Sequence, residues 1–148
     1  MARVPTGTIV YFSGLEFNGT NQYAQYNAGL SPAPTDNLTI AFWTKVIAYG
    51  AGDSCFVCIG KSDSNGYRIQ ITNAGLLKAT CSTVGNFSSG QTLTAGTWYH
   101  VALTRSGGTW QFYLNGAAVG STAATVPFAP NGWALIGAAK NSLNAVSE

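Results

Sequence analysis

The strongest constraint in this sequence is an alternation. Apolar and polar residues trade places one for one in short runs, and clusters of Gly, Asn, Pro and Ser interrupt them before a helical period can build. Side chains on an extended strand point alternately to the two faces of a sheet, so period-two runs bounded by turn residues predict strands. Eleven are expected: TIVYFS (8–13), LEFN (15–18), QYAQYN (22–27), LTIAFWTKV (38–46), CFVCIGK (55–61), GYRIQITN (66–73), LLKATCS (76–82), TWYHVALTR (97–105), TWQFYLN (109–115), AAVGS (117–121) and WALIGA (133–138). With turn signals such as SPAPTDN (31–37), SDSNG (62–66) and PFAPNG (127–132) between them, they predict an all-β chain folded as an antiparallel β-sandwich or jelly roll. No repeat, linker or low-complexity tail divides the 148 residues, so a single domain over 1–148 is expected.

One hairpin can be registered from its side chains alone. A four-residue loop at 106–109 sets Arg105 opposite Trp110, Leu103 opposite Phe112 and Val101 opposite Leu114. One face then carries Tyr99, Val101, Leu103, Trp110, Phe112 and Leu114, apolar but for Arg105 at its end. A three-residue loop would mix Gln111 and Tyr113 into that face. A one-residue slip turns every side chain over, so the apolar match selects the four-residue loop. The opposite face carries Trp98, His100, Ala102, Thr104, Gln111 and Tyr113. Asn115-Gly116 suits a type I′ turn, whose two central residues need positive φ.

Composition narrows the partners. Charged residues make up 8% of the chain, against about a quarter in an ordinary soluble domain. Ser, Thr, Asn and Gly supply the polarity, which points to protein surfaces or neutral ligands. The seven basic residues are scattered and the net charge is +2, so neither nucleic acid nor an anionic membrane is an expected partner. No run approaches the roughly 20 apolar residues of a membrane span. MARVPTGTIVYFSG lacks a signal-peptide core, so the chain reads as made in the cytoplasm or as a module of a longer protein. Cys55, Cys58 and Cys81 are odd in number. The Cys55–Cys58 pair has C-x-x-C spacing, but strand alternation would send its two thiols to opposite faces. Buried free thiols are expected rather than a redox or zinc site.

Five segments, in order, resemble the laminin G-like (concanavalin A-like lectin/glucanase) superfamily, especially its stand-alone bacterial and phage members. They are LEFNGTNQYAQY (15–26), LTIAFWTKV (38–46), IGKSDSNGYRIQITNAGLL (59–77), LTAGTWYHVALTRSGGTWQFYLNGAAVGS (93–121) and WALIGA (133–138). The resemblance implies a concanavalin A-like jelly roll. The family's usual closing strand has no counterpart in AAKNSLNAVSE (138–148), so either TIVYFS takes its place or a sheet edge stays open. An open edge is a template for pairing with another chain, which implies assembly as a homo-oligomer or with a larger structure. Glucanase relatives carry closely spaced acids on one strand. Here Glu16, Asp36, Asp53, Asp63 and Glu148 are far apart in sequence, so no hydrolase activity is expected.

The remaining candidates are weighed against that family. Many relatives bind calcium through loop oxygens, and Asp53, Asp63 and Asn65 are the candidate ligands here, although calcium takes 6–8 oxygens and ordinary Asx turns would use the same residues. His100, the single histidine, has no nucleophile or acid beside it in sequence and is expected to be structural. Trp98 and Tyr113 could stack on a sugar ring. Such sandwiches are covered on that face, however, so packing is their expected role. The loop aromatics Tyr49, Phe87, Phe128 and Trp133 are the expected ligand contacts. Three N-x-S/T triplets, at Asn18, Asn37 and Asn86, read as chance occurrences in an Asn-rich chain. The functional expectation is a non-enzymatic binding or assembly module. It would be a virion component, such as a capsid decoration or tail-associated protein assembled in the host cytoplasm. The alternative is an extracellular carbohydrate-binding adhesion module.

Overall fold

The computed structural model describes residues 14–26, 37–60, 66–81, 85–123, 133–140 and 146–147. Among these lie β1 (Ala24–Tyr26), β2 (Leu38–Lys45), β3 (Ser54–Gly60), β4 (Gly66–Ile71), β5 (Leu76–Cys81), β6 (Gly85–Thr92), β7 (Trp98–Ser106), β8 (Thr109–Leu114), β9 (Ala117–Ala123), β10 (Ala134–Ile136), β11 (Ala139–Lys140) and β12 (Val146–Ser147). A six-stranded sheet runs β1-β10-β3-β4-β5-β6, a four-stranded sheet runs β2-β7-β8-β9, and β11 pairs with β12. Every pairing is antiparallel. The two large sheets form the expected sandwich. The run TIVYFS (8–13) and the turns SPAPTDN and PFAPNG fall largely outside the described residues.

The core is the meeting of the two alternations. From the larger sheet come Tyr67, Ile69, Ile71, Leu77 and Ala79; from the smaller come Val101, Leu103, Trp110 and Phe112. Leu38, Ile40 and Phe42 of β2 pack on it from the edge. Phe87 lies against both Trp110 and Phe112, with centroids 6.0 and 5.4 Å away, and thereby joins the sheets. Each fully buried aliphatic or aromatic side chain contributes about 1.5–3 kcal/mol. Arg105, at the end of this face as expected, is buried with its guanidinium 5.9 Å from the Trp110 ring centroid.

The expected hairpin register is the observed one: Val101 opposes Leu114, Leu103 opposes Phe112 and Arg105 opposes Trp110. The ladder continues to Ser106 and Thr109, so the connection is two residues rather than four. Gly107 and Gly108, with φ of 54° and 89°, make a type I′ turn whose twist matches that of the strands. Asn115 and Gly116 do the same, at 51° and 84°.

Three expectations need correction. LEFN is not a strand, because Asn18 turns the backbone there: its Oδ1 accepts from Thr20 N and Asn21 N, at 3.0 and 3.1 Å. Phe17 instead docks its ring against Gly137, where a Cβ would meet it at 2.9 Å. Conversely, GNFSSGQT forms β6, an edge strand that the alternation missed. Its inward Ser89 is buried and satisfied, donating to Leu77 O at 2.8 Å, so a hydroxyl stands where an apolar residue would have given the signal. Finally, Cys55 and Cys58 do not point to opposite faces. A bulge between Cys55 and Val57 inserts one residue and resets the alternation, so both thiols pack with Leu135 and Ala138. Both are buried reduced thiols, as expected. Burial pushes the Cys55 thiol well above the ordinary range, the neighbouring Cys58 adds to the rise, and Arg68 opposes it.

On one side the sandwich closes through backbone contact. Gly120 of β9 has φ of 52°, and a Cβ there would lie 2.7 Å from Ser88 O and 2.8 Å from Ser89 of β6. Gln111 braces the adjacent bulge, donating from Nε2 to Phe112 O, Val119 O and Gly120 O.

Candidate binding face

The face of the four-stranded sheet turned away from the core follows from the same alternation. On β2 it takes Thr39, Ala41, Trp43 and Lys45, all exposed, while Leu38, Ile40 and Phe42 turn inward. On β7 and β8 it takes Trp98, His100, Ala102, Thr104, Gln111 and Tyr113. Register then sets Trp43 opposite His100, Lys45 opposite Trp98 and Ala102 between Ala41 and Tyr113. Trp43 and Trp98 are thus diagonal neighbours on one face, a spacing within reach of aromatic side chains.

This face is open. Trp43 is 67% exposed and Trp98 55%, which overturns the expectation that such a face is covered and that Trp98 packs. Ala102, between Ala41 and Tyr113, is buried although it belongs to neither core cluster. The rings of Trp43 and His100 are 5.3 Å apart and tilted by 58°. Lys45 Nζ lies 5.5 Å from the Trp98 ring centroid.

Polar loops hold the platform in place. Tyr49 Oη donates to Leu93 O and accepts from Ala95 N, and Gly96 N donates to Val46 O at 2.7 Å. Thr94 N donates to Tyr99 Oη at 3.1 Å, which holds the Tyr99 phenol below its ordinary range. These bonds tie the end of β2 to the turn before β7, which is where Lys45 and Trp98 sit. On the β8 side Asn115 clamps His100: its Oδ1 accepts from His100 N at 2.9 Å and its N donates to His100 O at 2.8 Å.

The residues nominated from sequence are dispersed. Tyr49 is 36% exposed with its hydroxyl engaged as above, and its ring sits beside Gly75. Phe87 is half-buried on the core, and Trp133 is half-buried against the Cys55–Cys58 cluster. Phe128, Asp63 and Asn65 lie outside the described residues. Asp53 is already neutralised, 2.6 Å from Lys78 Nζ and accepting from Gln70 Nε2 at 2.9 Å, a poor starting point for calcium. Among the described residues no three His, Cys, Asp or Glu side chains gather as a metal site. Nor does either described acid, Glu16 or Asp53, belong to β2, β7 or β8. The Asn18 and Asn86 side chains hold intramolecular hydrogen bonds, and Asn37 Oδ1 accepts from Gly107 N at 3.1 Å. The sequence signal for the platform was present in Trp98 and Tyr113. What it lacked was Trp43, which only the β2–β7 pairing brings to them.

The model of the laminin G-like family Laminin_G_3, of the concanavalin A-like lectin/glucanases superfamily, matches residues 18–146. The chain belongs to this family. The resemblance read from five ordered segments is therefore membership, and the two-sheet sandwich is the family's jelly roll. No curated protein sequence matches this laminin G-like chain. Among solved structures, it is similar to a native heptameric SAP-like pentraxin from Limulus polyphemus, at 18% identity over 83% of this chain and 60% of that one, TM-score 0.60. The sialidase CBM40 of Ruminococcus gnavus, bound to α2,3-sialyllactose, is 12% identical over 84% of this chain and 83% of that one, TM-score 0.62. Domain 4 of the arabinanase AbnA from Geobacillus stearothermophilus, in complex with arabinotriose, is 21% identical over 70% and 52%, TM-score 0.51. At these identities the likeness is one of fold, and the chain spans less than two thirds of the pentraxin and arabinanase chains. Among the described residues no helix is long and apolar enough to cross a membrane.

Proposed function

We propose that this laminin G-like chain is a non-catalytic, glycan-binding module that seats a saccharide on the outer face of β2, β7 and β8. The observation that carries the reading is the pair of exposed indoles, Trp43 and Trp98, side by side on one sheet face. Folding gains nothing by leaving two such rings in water, whereas the apolar face of a pyranose stacks on them and keeps its hydroxyls hydrated. Thr39, Thr104 and Tyr113 supply polar groups at the margin. The saccharide-bound neighbours with the same fold agree with this reading. No carboxylate pair flanks the face among the described residues, in keeping with binding rather than hydrolysis. A capsid or tail role draws no support from the family or the neighbours, and an extracellular carbohydrate-binding module is the preferred reading.

The test is a glycan array followed by titration calorimetry on the best ligand. Trp43→Ala and Trp98→Ala should each weaken binding by about tenfold, the loss expected when one stacking contact goes, with unchanged far-UV circular dichroism. Full affinity in the double variant would move the site elsewhere.

A further inference from the structure

The charge of the platform carries the reading one step further, and this step rests on the glycan-binding proposal above. We infer that the face selects saccharides bearing a carboxylate, with Lys45 as the specificity-determining residue. Among the described residues of the face, Lys45 is the charged side chain, His100 and Tyr113 stand beside it, and there is no Asp or Glu on the outward positions of β2, β7, β8 or β9. The one acid of the neighbouring β2–β3 connection, Asp53, is held by Lys78 and Gln70.

Position makes this more than a lone surface cation. The Lys45 ammonium lies over the Trp98 ring, 5.5 Å from its centroid, so the indole restricts the side chain and holds the charge against the platform, two positions along β2 from Trp43. A sugar stacked on Trp43 brings its ring substituents towards that charge. A neutral hydroxyl there would leave the ammonium with water alone, whereas a carboxylate forms a charge-assisted hydrogen bond. One compact cation suits one negative charge per sugar. A polysulfated chain would require several cations along the face, and the four described outward positions on β2 hold one. The low overall charge pointed to neutral ligands; it averages over the chain and misses this local imbalance.

The experiment is an array of neutral, uronic-acid-bearing and polysulfated oligosaccharides, then calorimetry on the strongest uronic-acid ligand and its carboxyl-reduced form. The acid should bind about fivefold more tightly than its reduced counterpart, the scale of one exposed ion pair, and lose that advantage as NaCl rises to 0.5 M. Lys45→Gln should bring the acid down to the affinity of the reduced form, and Lys45→Arg should restore the preference. Equal binding of acid and reduced forms, retention only of neutral or only of sulfated glycans, or a preference that survives Lys45→Gln would each overturn the inference. Those outcomes leave the glycan-binding reading standing if Trp43→Ala still weakens binding. Failure of the whole array to bind would overturn both.

Discussion

Trp43 and His100 face each other directly across the β2–β7 pair, rings 5.3 Å apart, on the side of the sheet turned away from the core. The contact joins two segments 57 positions apart and orients an indole that is two-thirds exposed. His100 thereby acts as a support for the platform, and its backbone is in turn held by Asn115.

The exposed and buried indoles should separate in solution. Replacing Trp43 and Trp98 together by Phe should leave stability within about 0.5 kcal/mol, as for other surface substitutions. The remaining emission, dominated by buried Trp110, should shift to the blue and resist acrylamide. By contrast, Phe112→Ala should cost about 3–5 kcal/mol in urea unfolding, because it opens a cavity between the sheets. Red-shifted, readily quenched emission in the double variant would contradict the exposures described.

Gly120 and Gly90 both have positive φ but differ in their surroundings. At Gly90 (71°) a Cβ would meet nothing within 4 Å, so Gly90→Ala should cost only the left-handed backbone penalty, about 1–2 kcal/mol. At Gly120 the Cβ would strike the β6 backbone at 2.7–2.8 Å, which cannot yield as a side chain can. Gly120→Ala should therefore lower the thermal midpoint clearly further. Equal midpoints would argue against close approach of β9 and β6.

Asn115 combines a left-handed backbone with a side-chain bond to His100. Asn115→Gly should lose only the bond, about 1 kcal/mol. Asn115→Ala should lose the bond and add strain, roughly 2–3 kcal/mol in all. Chemical denaturation of the two variants checks both costs, and an Asn115→Gly variant as stable as the parent chain would show the side-chain bond to be immaterial.

The buried thiols predict a pH dependence. The Cys55 pKa is raised in the folded state, so above the usual thiol pKa the unfolded chain loses a proton that the folded chain keeps. The stability contribution is complete below about pH 8 and falls by roughly 1 kcal/mol per pH unit above about pH 8.5. Thermal midpoints between pH 7 and 10 should show this decline, and Cys55→Ala should flatten it. Peptide mapping after iodoacetamide should find Cys55 and Cys58 unmodified in the native protein and alkylated in urea.

Most of the fold was legible because it depends on local alternation. The facing of Leu103 with Phe112 follows from one slip-sensitive pattern, and the type I′ turn at Asn115-Gly116 follows from its residue types, whereas the two-residue turn at Gly107-Gly108 was expected as a four-residue loop. β6 was not legible, since Gly, Ser and Gln write no apolar rhythm and the strand is held by pairing with β5 and by the buried Ser89 hydroxyl. LEFN alternates correctly yet is turned by Asn18, whose side chain competes for the backbone N–H groups a ladder would use.

The amino-acid sequence by itself determined the all-β class, the family and the register of the central hairpin, because strand periodicity and turn chemistry act over a few residues. Only the tertiary structure decided which surfaces remain free. Parity names two faces but not the one that stays in water, and one bulge between Cys55 and Val57 was enough to reverse it. The platform of Trp43, Trp98 and His100 needs β2 laid beside β7, a contact between distant segments whose geometry is set by packing across the whole sandwich.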